Sequence, residues 1–294
     1  MKFKNNRLLI SFSGGETSAY MAYKLLEQYR YTDTEIVVVF ANTGQEHEET
    51  LRFVDACDKA FDLNCVWIEA LPQYVRGSGT LAKIVDFESA SRNGEPFEAV
   101  IKKYGIPHRA NPVCSRELKL VPIHAYMRSI GRKKNTYTSA VGIRADEIDR
   151  MADDMDARNL YYPLVEWGVT KADVNKFWGS QPFRLPIKSW EGNCKTCWKK
   201  SNRKLYAIAR QNPEWFDFFA EMEFRYSSFT PEGRINSGKP PHFFFSRGRD
   251  VTQVLEAAYL GEFLLPDDER LLGLSPDIEL DVLSTCTESC EAFY

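Results

Sequence analysis

The chain lacks any apolar run long enough to span a bilayer. It also lacks internal repeats and low-complexity tracts. A membrane span, a solenoid and a disordered low-complexity chain are thereby excluded. Charge of one sign is scarce. The 38 Lys and Arg stand against 41 Asp and Glu, for a net charge of −3. Such a balance gives no general pull toward nucleic acid or anionic lipid, although a local basic patch remains open. Histidine is rare. His47, His108, His124 and His242 are the only four, and their spacing suits neither a metal site nor a Ser–His–Asp arrangement. The beginning, MKFKNNRLLISFS, has charge and a short apolar run but no small-residue cleavage site, so no secretory leader is expected. A cytoplasmic protein follows as the expectation. Its seven cysteines then read as thiols or metal ligands rather than disulfides.

With 294 residues, 44% hydrophobic and 27% charged, the chain can bury a substantial core as one large domain or two modest ones. Leu8 to Tyr20, LLISFSGGETSAY, reads as an apolar strand, a small-residue turn and the first turn of a helix. Gly14 and Gly15 let the backbone approach a ligand closely. Helix-start N–H groups favour an anion there, and Ser11, Ser13, Thr17 and Ser18 add hydroxyls. An ordinary capped strand-to-helix turn is the plainer alternative. Helical spacing predicts Thr17–Tyr29 and His47–Phe61, and EIVVVFA at Glu35–Ala41 has the continuous β-branched character of a buried parallel strand. A third strand is expected at Asn64–Glu69. This order implies a parallel sheet covered by helices on both faces.

Residues 70–112 carry scattered Gly and Pro and read as an irregular insertion or small helical subdomain. Beyond it, Arg116–Ile130 reads as helix, Asn135–Val141 as strand, and Thr170–Trp178 as a short helix with Thr170 and Asp173 resembling a capping box. Composition shifts near Ser189. The expected organisation is an α/β nucleotide-binding domain over 1–188 and a mainly helical, cysteine-bearing region over 189–294. Helices are predicted at Lys195–Arg210, Pro213–Tyr226 and Val251–Leu260, with a loop at Ser227–Arg249 and an acidic tail from Asp267.

Ligands of open α/β sheets bind at the carboxyl ends of strands, and three turns fall at such ends: SGGETS, NTGQE and GIRADEIDR. The third holds Arg144 and Arg150, whose forks suit phosphate or sulfate. Arg116 and Lys119 lie three apart on a predicted helix face and either reach a phosphate or remain surface charges. Cys114 precedes that helix, where the dipole lowers a thiol pKa. Cys194 and Cys197 form C-x-x-C, and Cys286 and Cys290 form C-x-x-x-C. With Cys114 as a fifth candidate, they fit a four-thiolate zinc or iron–sulfur site. Cys57 and Cys65 fall in core elements and read as structural. Lys199, Lys200, Arg203 and Lys204 follow the C-x-x-C, either as an anion-receiving patch or as a solvated helix face.

The ordered set SFSGGETS, FANTGQEHEET, VCSRELK, VGIRADEIDRM and YPLVEW resembles the phosphoadenosine phosphosulfate reductase family within the PP-loop, or adenine nucleotide alpha-hydrolase, superfamily. The reductase-like proteins of phages and prophages are the nearest likeness. The resemblance covers about Arg7 to Glu223. It implies a Rossmann-like parallel sheet in which Ser11, Ser13, Gly14, Gly15, Thr17 and Ser18 hold the phosphates of an adenine nucleotide, ATP or a sulfonucleotide. Asn42, Thr43 and Gly44 would lie by the adenosine, and Arg116, Lys119, Arg144 and Arg150 would address phosphate or sulfate. Adenylylsulfate reductases ligate a 4Fe-4S cluster with a double cysteine and a later C-x-x-C. Here Cys194 lies 80 residues after Cys114, Ser115 replaces the second cysteine, and Cys286 or Cys290 could supply the fourth ligand. Zinc is the alternative metal.

Two departures stand out. ATP-cleaving relatives read SGGKDS where this chain has Glu16 and Thr17, and Glu16 is expected to point to solvent. Sulfonucleotide reductases end in ECG(I/L)H, whereas this chain ends ESCEAFY, leaving Cys290 as a faint counterpart of the nucleophile. The implied activity is sulfur transfer, sulfonucleotide reduction or adenylyl transfer, with Lys119, Arg144 and Cys290 as catalytic candidates and a reductant or sulfur-donor protein as partner. One alternative is an ATP pyrophosphatase that uses magnesium and activates a nucleobase or nucleic acid for sulfur insertion. Another is a lapsed nucleotide-binding sensor or partner-binding protein.

Overall fold

The computed structural model describes residues 2–75, 77–188, 190–229, 242–245 and 248–260. The tail from Asp267, with Cys286 and Cys290, lies outside them.

A six-stranded sheet forms the centre, in the order β4-β3-β2-β1-β5-β6. Its strands are β1 (Arg7–Phe12), β2 (Glu35–Asn42), β3 (Val66–Pro72), β4 (Thr80–Val85), β5 (Thr138–Ala140) and β6 (Leu160–Tyr161). All pairs are parallel except β3 with β4. Helices α1 (Glu16–Tyr29) and α2 (Glu48–Phe61) connect the first three strands. Helix α3 (Glu95–Tyr104) follows β4. A short α4 (Val113–Ser115) runs through a π-helical turn, Arg116–Leu120, into α5 (Val121–Ser129). Then come α6 (Met155–Arg158), α7 (Pro163–Glu166), α8 (Lys171–Gly179), α9 (Asn202–Gln211), α10 (Asp217–Tyr226) and α11 (Val251–Tyr259).

Successive strand side chains point to opposite faces and both faces are covered, so Leu8–Ile10 of β1 and Ile36–Ala41 of β2 are unbroken apolar runs. Leu8, Ile10, Phe12, Val38 and Phe40 pack with Met21 and Leu25 of α1 and Val54 of α2 on one face. Leu9, Val39, Ala41 and Ile68 pack with Ile123 and Met127 of α5 on the other. Cys57 and Cys65 are structural, as expected. Burial pushes both thiols up and keeps them protonated. The Thr170–Asp173 box forms at α8, with the Thr170 amide donating to Asp173 Oδ2 at 2.9 Å.

Three expectations need correction. Residues 70–112 are not simply irregular: β4 is an antiparallel edge strand on β3, and α3 packs Phe97, Val100 and Ile101 against α9 and α10 residues in a third apolar cluster. The third strand starts and ends later than expected, at Val66–Pro72. Helix α9 begins at Asn202, because the C-x-x-C stretch before it is a series of turns.

The third cluster encloses Glu223 of α10, which is 5% exposed. Its carboxylate accepts from the amides of Phe244 at 3.1 Å and Val251 at 2.8 Å. Burial outweighs those bonds and raises its pKa from 4.5 to about 7. The folded state then holds this proton more tightly than the unfolded chain. Its stabilising effect is complete below pH 4.5 and is lost as pH rises through about 7, a difference of at most about 3 kcal/mol. Urea unfolding across that range should show the decline, and Glu223→Gln should flatten it.

Candidate functional site

The strand order reverses between β1 and β5, the place where open α/β sheets leave a crevice for ligands. The turn after β1 opens there. Gly14 has φ of +86°, a left-handed conformation, and a Cβ at that position would meet Thr50 Cγ2 at 2.8 Å. Gly15 is the N-cap of α1, with nothing within 4 Å of where its Cβ would be. The Ser18 hydroxyl accepts from the Ser13 amide at 3.2 Å, lies 2.9 Å from Ser13 Oγ and donates to the Gly15 carbonyl at 3.0 Å. These bonds saturate it, so Ser18 fixes the shape of the cradle. Ser11 is buried on β1. On the far side, a Cβ at Gly142 would lie 3.2 Å from Ser18 Cα, so the chain leaving β5 runs against the first turn of α1.

Arg144 caps that approach. Its Nη1 donates to Thr17 Oγ1 at 3.3 Å, and its guanidinium pairs with Asp146 and Glu147. Arg150 pairs with Glu147 as well. The third turn therefore brings the Arg144 guanidinium to the cradle already held by carboxylates, while Arg150 is held on Glu147.

Glu16 corrects an expectation. It does not point to solvent: its side chain is 17% exposed, and its carboxylate takes two bonds from Arg184, at 3.0 and 3.1 Å. The Arg116–Lys119 pair is also corrected. The wide π-helical turn separates them, so Arg116 is exposed beside Glu117 while Lys119 is 7% exposed and faces inward. Lys200 and Lys204 are buried rather than solvated. Lys200 Nζ binds the carbonyls of Trp190, Gly192 and Lys195, so it pins the C-x-x-C loop.

At the end of β2, Asn42 is fully buried. Its amide donates to Glu69 Oε1 at 2.7 Å and its carbonyl oxygen accepts from the Gly44 amide at 3.1 Å. Glu69 also accepts from Ser91 N and Oγ, which anchors the turn from beneath. Thr43 donates its amide and hydroxyl to Glu46. The C-x-x-C loop is stitched to this same turn: the Lys195 amide donates to the Gln45 carbonyl at 2.9 Å, and Thr43 Oγ1 lies 3.4 Å from Cys194 Sγ. His47 caps α2, its Nδ1 accepting from the Glu49 amide at 3.0 Å, and burial lowers its pKa.

Cys114, Cys194 and Cys197 line one cavity with Thr43, Ser115 and Lys119. It measures about 20 Å³, room for about one water. Trp198 lines it too, and among the described residues its buried indole N–H has no hydrogen-bond partner. The three sulfurs are the donor type that zinc and iron–sulfur clusters take. Among the described residues, however, no three His, Cys, Asp or Glu side chains are gathered tightly enough to hold a metal ion. The sequence singles out Cys114, Cys194, Cys197 and Lys119, which line this cavity, and the turn NTGQE that holds Glu46. It does not single out Glu69 or Trp198. Glu69 carries a signal, an acidic residue inside the apolar run VWIEALP, and Trp198 carries none.

The phosphoadenosine phosphosulfate reductase domain model matches residues 7–177. The chain belongs to that family. Among curated relatives, an uncharacterized nin region protein of Escherichia phage lambda is 36% identical over 200 residues, covering 67% of each chain. This places the chain with the phage-type, reductase-like members. Two uncharacterized proteins of Methanocaldococcus jannaschii are 24% identical over 208 residues and 27% over 168. Those alignments cover 70% and 54% of this chain but only 38% and 29% of the archaeal proteins, so the chain spans well under half their length. Membership in the phosphoadenosine phosphosulfate reductase family brings a PP-loop fold and points to nucleotide-binding, sulfonucleotide-related function. The matched span contains the cradle, both following turns, Cys114 and Lys119. It stops short of Arg184 and the C-x-x-C.

Among the described residues, no helix is long and apolar enough to cross a membrane.

Proposed function

We propose that this chain binds an adenine sulfonucleotide and catalyses transfer or reduction of its sulfur. The observation that carries the reading is the placement of Cys114, Cys194, Cys197 and Lys119 around one cavity that shares Thr43 with the nucleotide-side turn. In this reading Ser11, Ser13, Gly14, Gly15, Thr17 and Ser18 form the phosphate cradle. Asn42, Thr43 and Gly44 lie by the adenosine, with Arg116, Arg144 and Arg150 as further anion contacts. A thiolate, with Cys290 as the candidate, attacks the sulfur, and the nucleotide leaves with the electrons of the broken bond. Lys119 and Arg144 stabilise the charge that develops on the sulfonyl and phosphate oxygens. In this reading the division near residue 189 sets the nucleotide-binding part apart from the C-terminal, cysteine-bearing region.

The reading assigns Cys114, Cys194 and Cys197 to a 4Fe-4S cluster, with zinc as the alternative and, as fourth ligand, Cys286, or Cys290 where it is not the nucleophile. A cluster would supply electron-transfer capacity beside the reacting sulfur.

Anaerobically purified protein is expected to release sulfite from adenosine 5′-phosphosulfate or its 3′-phosphorylated form when a dithiol reductant is supplied. Pyrophosphate release from ATP and magnesium, without sulfite release, would replace this reading by adenylyl transfer. Tight nucleotide binding with no turnover of either substrate would replace it by a sensor. Iron and acid-labile sulfide are expected in the same sample. Zinc without iron would overturn the cluster and keep the ligands, and neither metal would remove both.

A further inference from the structure

The first residue of α1, on the lip of the cradle, is a carboxylate. An unpaired negative charge there would oppose the anion that the surrounding amides favour. Three side-chain or backbone groups from one distant segment converge on that residue. Trp178 Nε1 donates to the Glu16 carbonyl at 2.9 Å. Arg184 donates from Nε and Nη2 to the two carboxylate oxygens at 3.0 and 3.1 Å. The Leu185 amide adds a third bond to Oε1 at 3.3 Å. Trp178 is 1% exposed and packs against Phe53, Phe177 and Phe183, so the base of this segment is anchored. A guanidinium meeting a carboxylate through two parallel bonds holds both its charge and its direction.

We infer that Arg184 is a positioning residue for the nucleotide site: it neutralises the Glu16 carboxylate and turns it away from the cradle, so that a bound phosphate meets amide dipoles rather than a negative charge. This rests on the nucleotide reading above. It also extends the functional unit past the matched family residues, since Arg184 lies beyond residue 177. Arg184 is half exposed, so its loss should leave the fold intact. The freed carboxylate would then act on the ligand by Coulomb repulsion, which grows with ligand charge and falls with salt.

The test is a double-mutant cycle by isothermal titration with one uncharged probe, adenosine, and two dianionic probes, AMP and adenosine 5′-phosphosulfate. Arg184→Ala should leave adenosine binding unchanged. It should weaken the charged ligands by roughly three- to tenfold at low ionic strength, with the loss shrinking in high salt. Arg184→Gln should behave alike and serves if the alanine variant proves unstable. In a Glu16→Gln background, Arg184→Ala should cost little, because no carboxylate remains to be neutralised. Equal losses for all three ligands would show a merely structural role. A loss that persists at full size in the Glu16→Gln background would show direct phosphate contact by Arg184. Either result overturns the inference while leaving the nucleotide reading in place. Wild-type protein that binds none of the three probes overturns both.

Discussion

A Gly14→Ala variant should lose about 2–5 kcal/mol of stability, and the folded fraction should bind nucleotide far more weakly. Two independent costs combine at this position. A φ of +86° is left-handed, and an alanine held there costs about 1–2 kcal/mol relative to glycine. The added methyl would also lie 2.8 Å from Thr50 Cγ2 and 3.1 Å from Phe40 Cε2. Neither neighbour is a flexible tip. Thr50 belongs to α2 and is buried, and Phe40 is a core residue of β2 packed against Trp67. Overpacking of a fixed core typically costs about 1–3 kcal/mol. The turn can relieve the clash only by moving away from α2, which carries the Ser13 and Gly15 backbone groups away from their bonds with Ser18. Urea unfolding should show a lower midpoint with an unchanged slope. Gly15→Ala is the control, because nothing lies within 4 Å of its added carbon and its φ is not left-handed. A Gly14→Ala protein as stable as wild type would mean that the turn is not constrained by α2.

Why the cradle was legible in the sequence, and its supports were not, follows from the range of the forces involved. Strand β2 is a continuous β-branched run because both of its faces are covered, and that requirement is written in consecutive residues. The glycines sit where the chain must turn from strand to helix, again a local demand. Strand β4 shows the opposite case. It lies at the sheet edge with Leu81 and Ile84 exposed, so its residues carry no clean alternation, and its existence depends on antiparallel pairing with β3. Helix α3 was hidden by its own punctuation. Gly94 and Pro96 look like loop residues, but a left-handed glycine before a proline in the first turn starts a helix. The stretch from Lys195 reads as helix in the sequence, whereas Lys200 closes a tight loop by gathering three carbonyls. Partners such as Glu16 with Arg184 and Asn42 with Glu69 lie 168 and 27 residues apart, so no local pattern announces them.

Lys119→Ala should cut kcat/KM for sulfite release by roughly 10²–10³-fold, about 3–4 kcal/mol of transition-state stabilisation. Lys119 is carried on the π-helical turn, which rotates its side chain inward onto the cavity shared by Cys114, Cys194, Cys197 and Thr43. A cation held in a buried, water-poor site acts on developing negative charge with far less screening than one at the surface. Its effect should therefore appear in the chemical step rather than in binding. AMP, which carries no sulfonyl group, should bind the alanine variant within a few-fold of wild type, while turnover of adenosine 5′-phosphosulfate falls steeply. Lys119→Arg should recover little, because a planar guanidinium fork does not put its charge where the compact ammonium stood. Arg116→Ala supplies the contrast. Its side chain is exposed beside Glu117 on the other side of the same turn, so its loss should cost less than tenfold. If Lys119→Ala and Arg116→Ala reduce turnover equally, the inward rotation of Lys119 has no catalytic consequence and the cysteine-lined cavity is not where the sulfur reacts.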